Sequence, residues 1–542
     1  MLRLRTGYPL RTPPARGAFL VGLAVTAAVT AFLAWRAMAP GFLLYRDFVT
    51  VPVPVLNAAA LGAGGAPRSV PLDVVTALTS WLVPSWLVQK VLLVAPLLLA
   101  GSGVSFLLRH RGFAATIVGS VLAVWNPYVA ERLLLGQSPT LLGYAMIPWL
   151  IAAVGSQRSR GWRIVLVTVA ALPAALTPVG GVMALLTVII AAASLTNGRR
   201  VADAALLGLP VLVLALPWIL TGLRDPTRGA TPSGATAFAV AADSPGGVIG
   251  SVLTLGGVWA PGARLASRAT VTTLAAELVL VVVAICSWWG LRRDPRLRRP
   301  ADLALAAYVL VVFAVLLVAG PVLPLWRSLQ VVPGVAMLRD THRLLGFAAM
   351  SMALLGGIAA SGAVWGLDRG RGSRRWLPSI AGVLALAGMG LLSAPDLAAR
   401  LGTELRPVTF PGQWNQVVAA VAAVDGAQAG GSALILPWQP FRQTPWAGPQ
   451  PFLDPLPRAL STDVVSARDL LVTRGGRDLW VGGEDPPQAA QWRTGRVDSS
   501  ELRRLGVRWV VEWLDSPGKL PTTHQGLTKV LDGAHWRVWR VG

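Results

Sequence analysis

Cysteine is almost absent. The 542-residue chain has one, Cys286, inside an apolar run. That excludes an intramolecular disulfide and any cysteine-built metal centre, so the fold is held by packing alone. Histidine is nearly as scarce: His110, His342, His524 and His535 are too scattered for a histidine metal cluster. No HExxH, P-loop or GxSxG pattern occurs. Charged residues make up only 13% of the chain against 54% hydrophobic ones, which is too apolar for an ordinary soluble protein. Lysine is limited to Lys90, Lys519 and Lys529, so arginine carries the formal charge of +23. The arginines sit in short clusters between apolar runs rather than on one face of a folded domain. That is a topology signal and argues against a nucleic-acid partner.

What the chain does have is apolar runs of about twenty residues, the length a helix needs to cross a bilayer. The expected fold is mainly α: a polytopic helical bundle of about eleven spans, with a small C-terminal α/β domain. Spans are expected near 18–38, 86–108, 113–127, 140–155, 163–177, 179–196, 201–222, 271–290, 301–320, 344–366 and 376–394. Ala18 to Met38 is too long for a signal-peptide core and lacks a clear cleavage site, so it reads as an uncleaved span. The pair 163–177 and 179–196, broken at Thr177-Pro178, also fits a re-entrant hairpin. With this threading, the clusters at Arg3/Arg5/Arg11/Arg16, Arg109/Arg111, Arg158/Arg160/Arg163, Arg199/Arg200, Arg292 to Arg299 and Arg369 to Arg375 all fall on one side. The positive-inside rule makes that side cytoplasmic. The expectation is a multi-pass protein of the cytoplasmic (inner) membrane, with its N-terminus inside and its C-terminal domain outside.

The membrane domain then covers 1–394, with outer loops 39–85, 128–139, 223–270 and 321–343. In the first loop, Val70 to Leu87 has apolar residues at helical spacing and predicts a helix lying in the interface. From 395 to 542 the composition turns to mixed charge. Gly412 to Val424 and Ser500 to Leu505 read as helices, and Ala433 to Leu436, Val507 to Trp513 and Trp536 to Val541 as strands.

Charge at a membrane boundary is costly without a purpose, so the few such residues are the candidates for chemistry. Asp47, in the apolar stretch Leu44-Tyr45-Arg46-Asp47-Phe48-Val49, reads as a general base for an acceptor hydroxyl, or as a local partner of Arg46. Glu131 and Arg132 follow Pro127, which is expected to end the third span. They read as a phosphate- or hydroxyl-binding pair, or as an interfacial anchor. Arg339, His342 and Arg343 concentrate positive charge where the positive-inside rule disfavours it. Lys90 adds a fourth cation near the outer end of the second span. These four suit an anionic headgroup or phosphate, or they snorkel to surface lipid. Asp225 and Asp243 are possible further carboxylates, but both sit beside prolines, which favours a turn role.

One segment is more specific. Asn126-Pro127-Tyr128-Val129, Glu131-Arg132, Gly136-Gln137, Leu142-Gly143-Tyr144-Ala145 and Pro148-Trp149 together resemble actinobacterial membrane glycosyltransferases of the GT-C type. The closer likeness is to the membrane half of the alpha-(1→3)-arabinofuranosyltransferase-like family. Tyr45 to Val49, Ala242 to Pro245 with Leu255 to Trp259, Pro333-Gly334 with Leu338-Arg339, and Leu436 to Phe441 fit the same pattern.

The resemblance implies an inverting transfer of a sugar from a polyprenyl-phosphate donor to a cell-envelope glycan or glycolipid, at the outer face of the membrane and among membrane lipids. It maps the family's catalytic carboxylate onto Asp47, with Glu131 positioning donor or acceptor. Arg46, Lys90, Arg132, Arg339, His342 and Arg343 are then the donor-phosphate candidates. Many relatives carry paired acids in the first loop, whereas Arg46 precedes Asp47 here. No cofactor is therefore assigned, a divalent cation is left open, and no metal ligand is named. Two other readings stand beside the enzyme: a lipid-linked glycan transporter or flippase, and a catalytically inactive scaffold for envelope assembly. The absence of a sequence repeat and the placing of charge at the outer edge favour the enzyme over the transporter.

Overall fold

The computed structural model describes residues 15–63, 69–195, 200–224, 231–295, 297–332, 334–367, 376–422, 431–482 and 485–542. Asp225, Pro333 and the arginines at 3, 5, 11, 199, 296, 369, 371, 374 and 375 lie outside the described residues.

Each of the eleven apolar stretches is helical: Ala15–Ala34, Ser85–Leu108, Phe113–Val124, Leu141–Val154, Arg160–Ala175, Pro178–Leu195, Arg200–Arg224, Val271–Leu291, Arg298–Ala319, Gly346–Leu367 and Trp376–Leu392. Among the described residues, eight helical segments are long and apolar enough to cross a membrane. There are nine if the bent pair Ile380–Leu392 and Leu397–Glu404 is one span. The helices Leu141–Val154 and Arg160–Ala175, with 14 and 16 residues, fall short of a full crossing. The chain is a multi-pass membrane protein.

Two spans form the centre of the bundle. Phe113–Leu134 is 83% buried and Thr341–Ser361 is 78% buried, against 22% for the peripheral Arg298–Ala319. They approach closely because glycines face each other. A Cβ on Gly357 would lie 2.8 Å from the Ala115 carbonyl oxygen and 3.1 Å from Gly119 Cα. Packing through small residues is how helices associate where lipid removes the hydrophobic drive. A hydroxyl pair, Ser105 and Ser120 at 2.6 Å, ties the second long helix to the same centre.

Two local expectations are corrected. Pro127 does not end a span. The helix Phe113–Val124 stops at Trp125, and Pro127 is the first residue of a new helix, Pro127–Leu134. Asn126 caps it by accepting from the Val129 amide at 3.0 Å, and proline suits a first-turn position because its missing N–H would be unbonded there anyway. Val70 to Leu87 is not one helix either. Leu72–Thr79 is a separate short helix, and Pro84 immediately precedes Ser85–Leu108, as a residue that resists helix continuation should.

The C-terminal part builds a mixed five-stranded sheet. Its order is Leu527–Asp532, Trp536–Val541, Val507–Trp513, Ser432–Leu436 and Asp463–Val465. The first three strands are antiparallel, and Ser432–Leu436 runs parallel to both of its neighbours. The expected strands at 433–436, 507–513 and 536–541 and the helices at Gln413–Ala422 and Ser499–Arg504 are present. The strands Leu527–Asp532 and Asp463–Val465 and the hairpin of Asp469–Arg474 with Arg477–Gly482 were not expected. Their residues alternate weakly and lie largely exposed, so they carry little period-2 signal.

The first loop is part of this unit. Phe42–Leu43 pairs antiparallel with Pro407–Val408. Leu44, Val49 and Val51 pack into one apolar cluster with Trp414, Phe452, Trp513 and Trp536. Val51 is fully buried there, so Val51→Asp is expected to destabilise the C-terminal sheet by about 4 kcal/mol or more. Near-UV circular dichroism, which reads the tryptophan packing, checks this. An unchanged signal would mean that the loop is not part of that core.

Candidate active site

Asp47 stands at the tip of a tight turn. Tyr45 and Phe48 exchange backbone hydrogen bonds (Phe48 N to Tyr45 O, 2.8 Å; Tyr45 N to Phe48 O, 3.3 Å), and Arg46 between them has φ of 48°. Positive φ at an arginine is a strained conformation that persists only where the surroundings enforce it. Here they do. The Arg46 amide donates to Pro451 O and its carbonyl accepts from Leu453 N, both at 2.8 Å, so the C-terminal domain clamps the turn. From the other side, a Cβ on Gly136 would lie 2.7 Å from Tyr45 O, so only glycine lets the two chains approach this closely.

The Asp47 side chain is exposed and lines a cavity. Low polarity around it raises its pKa above the ordinary value, opposed by a hydrogen bond from Gln137 and by the charge of Arg343. Gln137 Nε2 donates to Asp47 Oδ2 at 2.9 Å. Gln137 Oε1 accepts from Arg132 at 2.9 Å and from Arg343 at 3.5 Å.

Behind Gln137 lies a buried ionic network. Arg132 pairs with Asp340 at 2.7 Å, and Arg343 reaches the same carboxylate at 3.2 Å. Burial alone would raise the Asp340 carboxyl, but these two guanidiniums bring it down to about 2. Arg132 also lies 2.6 Å from His342 Nδ1. A guanidinium only donates, so Nδ1 accepts and the ring proton sits on Nε2, which is 2.9 Å from Glu131. The same Glu131 oxygen, Oε2, accepts from the Val258 amide at 3.1 Å, while Oε1 lies 3.8 Å from Arg268. Arg268 is fully enclosed between Asp243, at 2.7 Å, and Glu277. Gly256 makes room for it, since a Cβ there would lie 2.3 Å from the guanidinium. Burial works against ionisation of Asp243, but Arg268 outweighs it and holds the carboxyl well below the usual range.

The structure therefore joins Asp47, Glu131, Arg132, His342 and Arg343 into one connected system and separates them by access. Asp47 and the partly exposed Arg46, Arg339 and Arg343 line the open side, while Glu131, Arg132 and His342 are enclosed. Arg339 stacks over Phe238 at 4.6 Å. Burial and the neighbouring Arg343 lower its pKa to about 10. Lys90 stands apart. It is 1% exposed, and its ammonium makes no hydrogen bond to the described residues.

Asp243 is an ion-pair partner rather than only a turn residue, which is a correction: its carboxylate serves Arg268 and the Gly257 amide. Arg268, Asp340, Glu277 and Gln137 were not singled out as site residues in the sequence. Asp340 had a signal, lying between Arg339 and His342. Glu277 had one too, being a carboxylate inside the expected span 271–290, whereas Arg268 sits in a loop with no motif. Among the described residues, no group of three or more His, Cys, Asp or Glu side chains is placed to hold a metal ion.

The fold is similar to that of the arabinofuranosyltransferase AftD from Mycobacteria, with a TM-score of 0.61 and 18% identity over 98% of this chain. The chain spans 40% of that protein's length. ArnT from Cupriavidus metallidurans, solved in the apo state and bound to undecaprenyl phosphate, aligns with a TM-score of 0.41 and 13% identity, over 98% of this chain and 99% of that one. No protein-family model and no curated protein matches the chain. The architecture is a GT-C-like membrane fold with a C-terminal mixed sheet.

Proposed function

We propose that the protein is a polyprenyl-phosphate-sugar-dependent glycosyltransferase, acting on a cell-envelope glycan or glycolipid at the outer face of the membrane. Arabinofuranose is the leading sugar. The observation that carries this reading is Asp47: a carboxylate open to a cavity, oriented by Gln137, and flanked by Arg46, Arg339 and Arg343 on a GT-C-like fold.

The reaction is a single displacement. An acceptor hydroxyl oxygen attacks the anomeric carbon and gives its proton to Asp47. The bond from the anomeric carbon to the phosphate oxygen breaks, and its electron pair stays on the phosphate. Arg339, Arg343 and Arg46 stabilise the charge that grows there. Lys90, a buried cation whose ammonium makes no hydrogen bond among the described residues, stands apart from these arginines and is the remaining candidate for the donor's anionic headgroup. Glu131, Arg132 and His342 act through the network and keep Gln137, Asp340 and Arg343 in place.

The test is turnover by purified protein in nanodiscs, with radiolabelled polyprenyl-phosphate arabinose or mannose and envelope glycan acceptors. Labelled glycan and free polyprenyl phosphate in equal amounts are expected. A lipid-linked sugar that is bound or moved across the bilayer but never consumed would favour the transporter reading.

The pH profile follows from Asp47. Its pKa is raised and the base must be ionised, so the rate is expected to fall as pH drops through a value above the ordinary carboxylate range of about 3.9. Gln137→Leu removes the hydrogen bond that favours the charged form, so the acid limb should move further up. A limb that stays where it is would separate Gln137 from the base.

A further inference from the structure

The cavity that holds Asp47 has a second charged wall. On that side stand Asp73, from the short helix of the first loop, and Arg458, from the C-terminal domain, with Thr50, Thr76 and Ser69 around them. Arg458 Nε lies 3.5 Å from Asp73 Oδ1, and both side chains are more than nine-tenths buried. Arg458 Nε and Nη1 make no hydrogen bond among the described residues, although they are shut off from bulk water. Buried guanidinium N–H groups left in that state cost free energy unless a ligand satisfies them.

From this we infer that the Asp73–Arg458 wall is the acceptor-sugar subsite, a reading that rests on the transferase proposal and assigns the cavity its substrate. Charge decides between acceptor and donor. Among the described residues that line this cavity, two carboxylates, Asp47 and Asp73, face one guanidinium, Arg458, a lining that disfavours a phosphodiester. Arg46, Arg339 and Arg343, which are not in that lining, bring positive charge close to Asp47. A carboxylate and a guanidinium 3.5 Å apart, ringed by hydroxyls, offer acceptors and donors at the spacing of neighbouring sugar hydroxyls. Such a pair binds a neutral polyol without needing a counter-ion.

The position also fits the reaction. An acceptor held against Arg458 lies in the same cavity as Asp47 and presents a hydroxyl to it. The C-terminal domain thus completes the site. It clamps the Asp47 turn through Pro451 and Leu453 and supplies Arg458 to the wall.

The experiment measures binding, not turnover, on the full chain in nanodiscs. The probes are an α-linked arabinofuranosyl trisaccharide, an α-linked mannosyl trisaccharide and sugar-free polyprenyl phosphate. Wild type is expected to bind one trisaccharide. Arg458→Met and Asp73→Asn should weaken it about tenfold or more while polyprenyl phosphate binding stays within about twofold. Thr50→Val, which leaves no buried charge unpaired, should weaken it a few-fold in a protein of wild-type stability. Arg458→Lys should restore only part of the affinity.

Trisaccharide affinity that is unchanged in these variants overturns the inference, as does wild type binding neither trisaccharide. Polyprenyl phosphate affinity lost on Arg458→Met overturns it too, because the wall would then belong to the donor. A trisaccharide that binds through Arg458 in a protein with no transferase activity would leave the subsite standing and remove the transferase reading instead.

Discussion

Asp47→Asn is expected to lower the rate of sugar transfer by about 10²–10⁴-fold, the usual contribution of a positioned general base. The substitution is close to isosteric, and Asp47 is reachable from the cavity rather than sealed in the core. The asparagine carbonyl oxygen can still accept from Gln137, so the turn, the clamp from Pro451 and Leu453, and the packing of Leu44 and Val49 should persist. Donor binding is expected to change little, because the arginines proposed to receive the phosphate stay in place. The measurement is kcat alongside the affinity for polyprenyl phosphate. A variant that turns over at the wild-type rate would reduce Asp47 to a structural loop residue and favour a scaffold.

The largest effect on stability is expected at Arg268. Its guanidinium is the cation between Asp243, Glu277 and Glu131, and all four side chains are buried. Arg268→Met fills similar space but leaves three carboxylates facing one another without their counter-charge. Breaking a buried ion pair in this way costs about 3–5 kcal/mol for one partner, and here one substitution strands several. Thermal unfolding in detergent and the monodispersity of the purified protein read the outcome. Adding Asp243→Asn and Glu277→Gln to Arg268→Met should recover part of the loss, because two of the stranded charges are then gone. A single variant as stable as wild type would mean that the carboxylates are held by something other than Arg268.

The membrane half of the fold was legible because its signal is physical and local. Runs of apolar residues have to be helical in lipid, where every backbone group needs an internal partner. All eleven such runs are helices, with ends near those read from the sequence. The strands at 507–513 and 536–541 were equally legible, being dense in valine and tryptophan. The segment 127–134 was misread because its proline looks like a terminator. It is in fact a starter, and only the Asn126 cap distinguishes the two.

The site was legible in part. Asp47, Glu131, Arg132, His342 and Arg343 stood out as charges that lipid and interface would disfavour, and the fold brings them into contact. What composition and spacing did not show was which of them face the open side. Glu131 and His342 are sealed while Arg339 and Arg343 are not, and that depends on the contacts the helix Pro127–Leu134 makes with the segment 341–345. Arg458 lies more than four hundred residues from Asp47 in the chain, on a short helix with no motif. Its place beside Asp73 follows only from the docking of the C-terminal domain onto the first loop.

The most direct measurement is the anomeric configuration of the transferred sugar, read by NMR on the product of the purified protein and a polyprenyl-phosphate sugar of defined configuration. Displacement from a single face, with Asp47 taking the acceptor proton and the arginines receiving the phosphate, predicts inversion. It also predicts one free polyprenyl phosphate per sugar transferred. A product with retained configuration would contradict the account, because it requires a covalent or internal-return step that one base at this position does not provide.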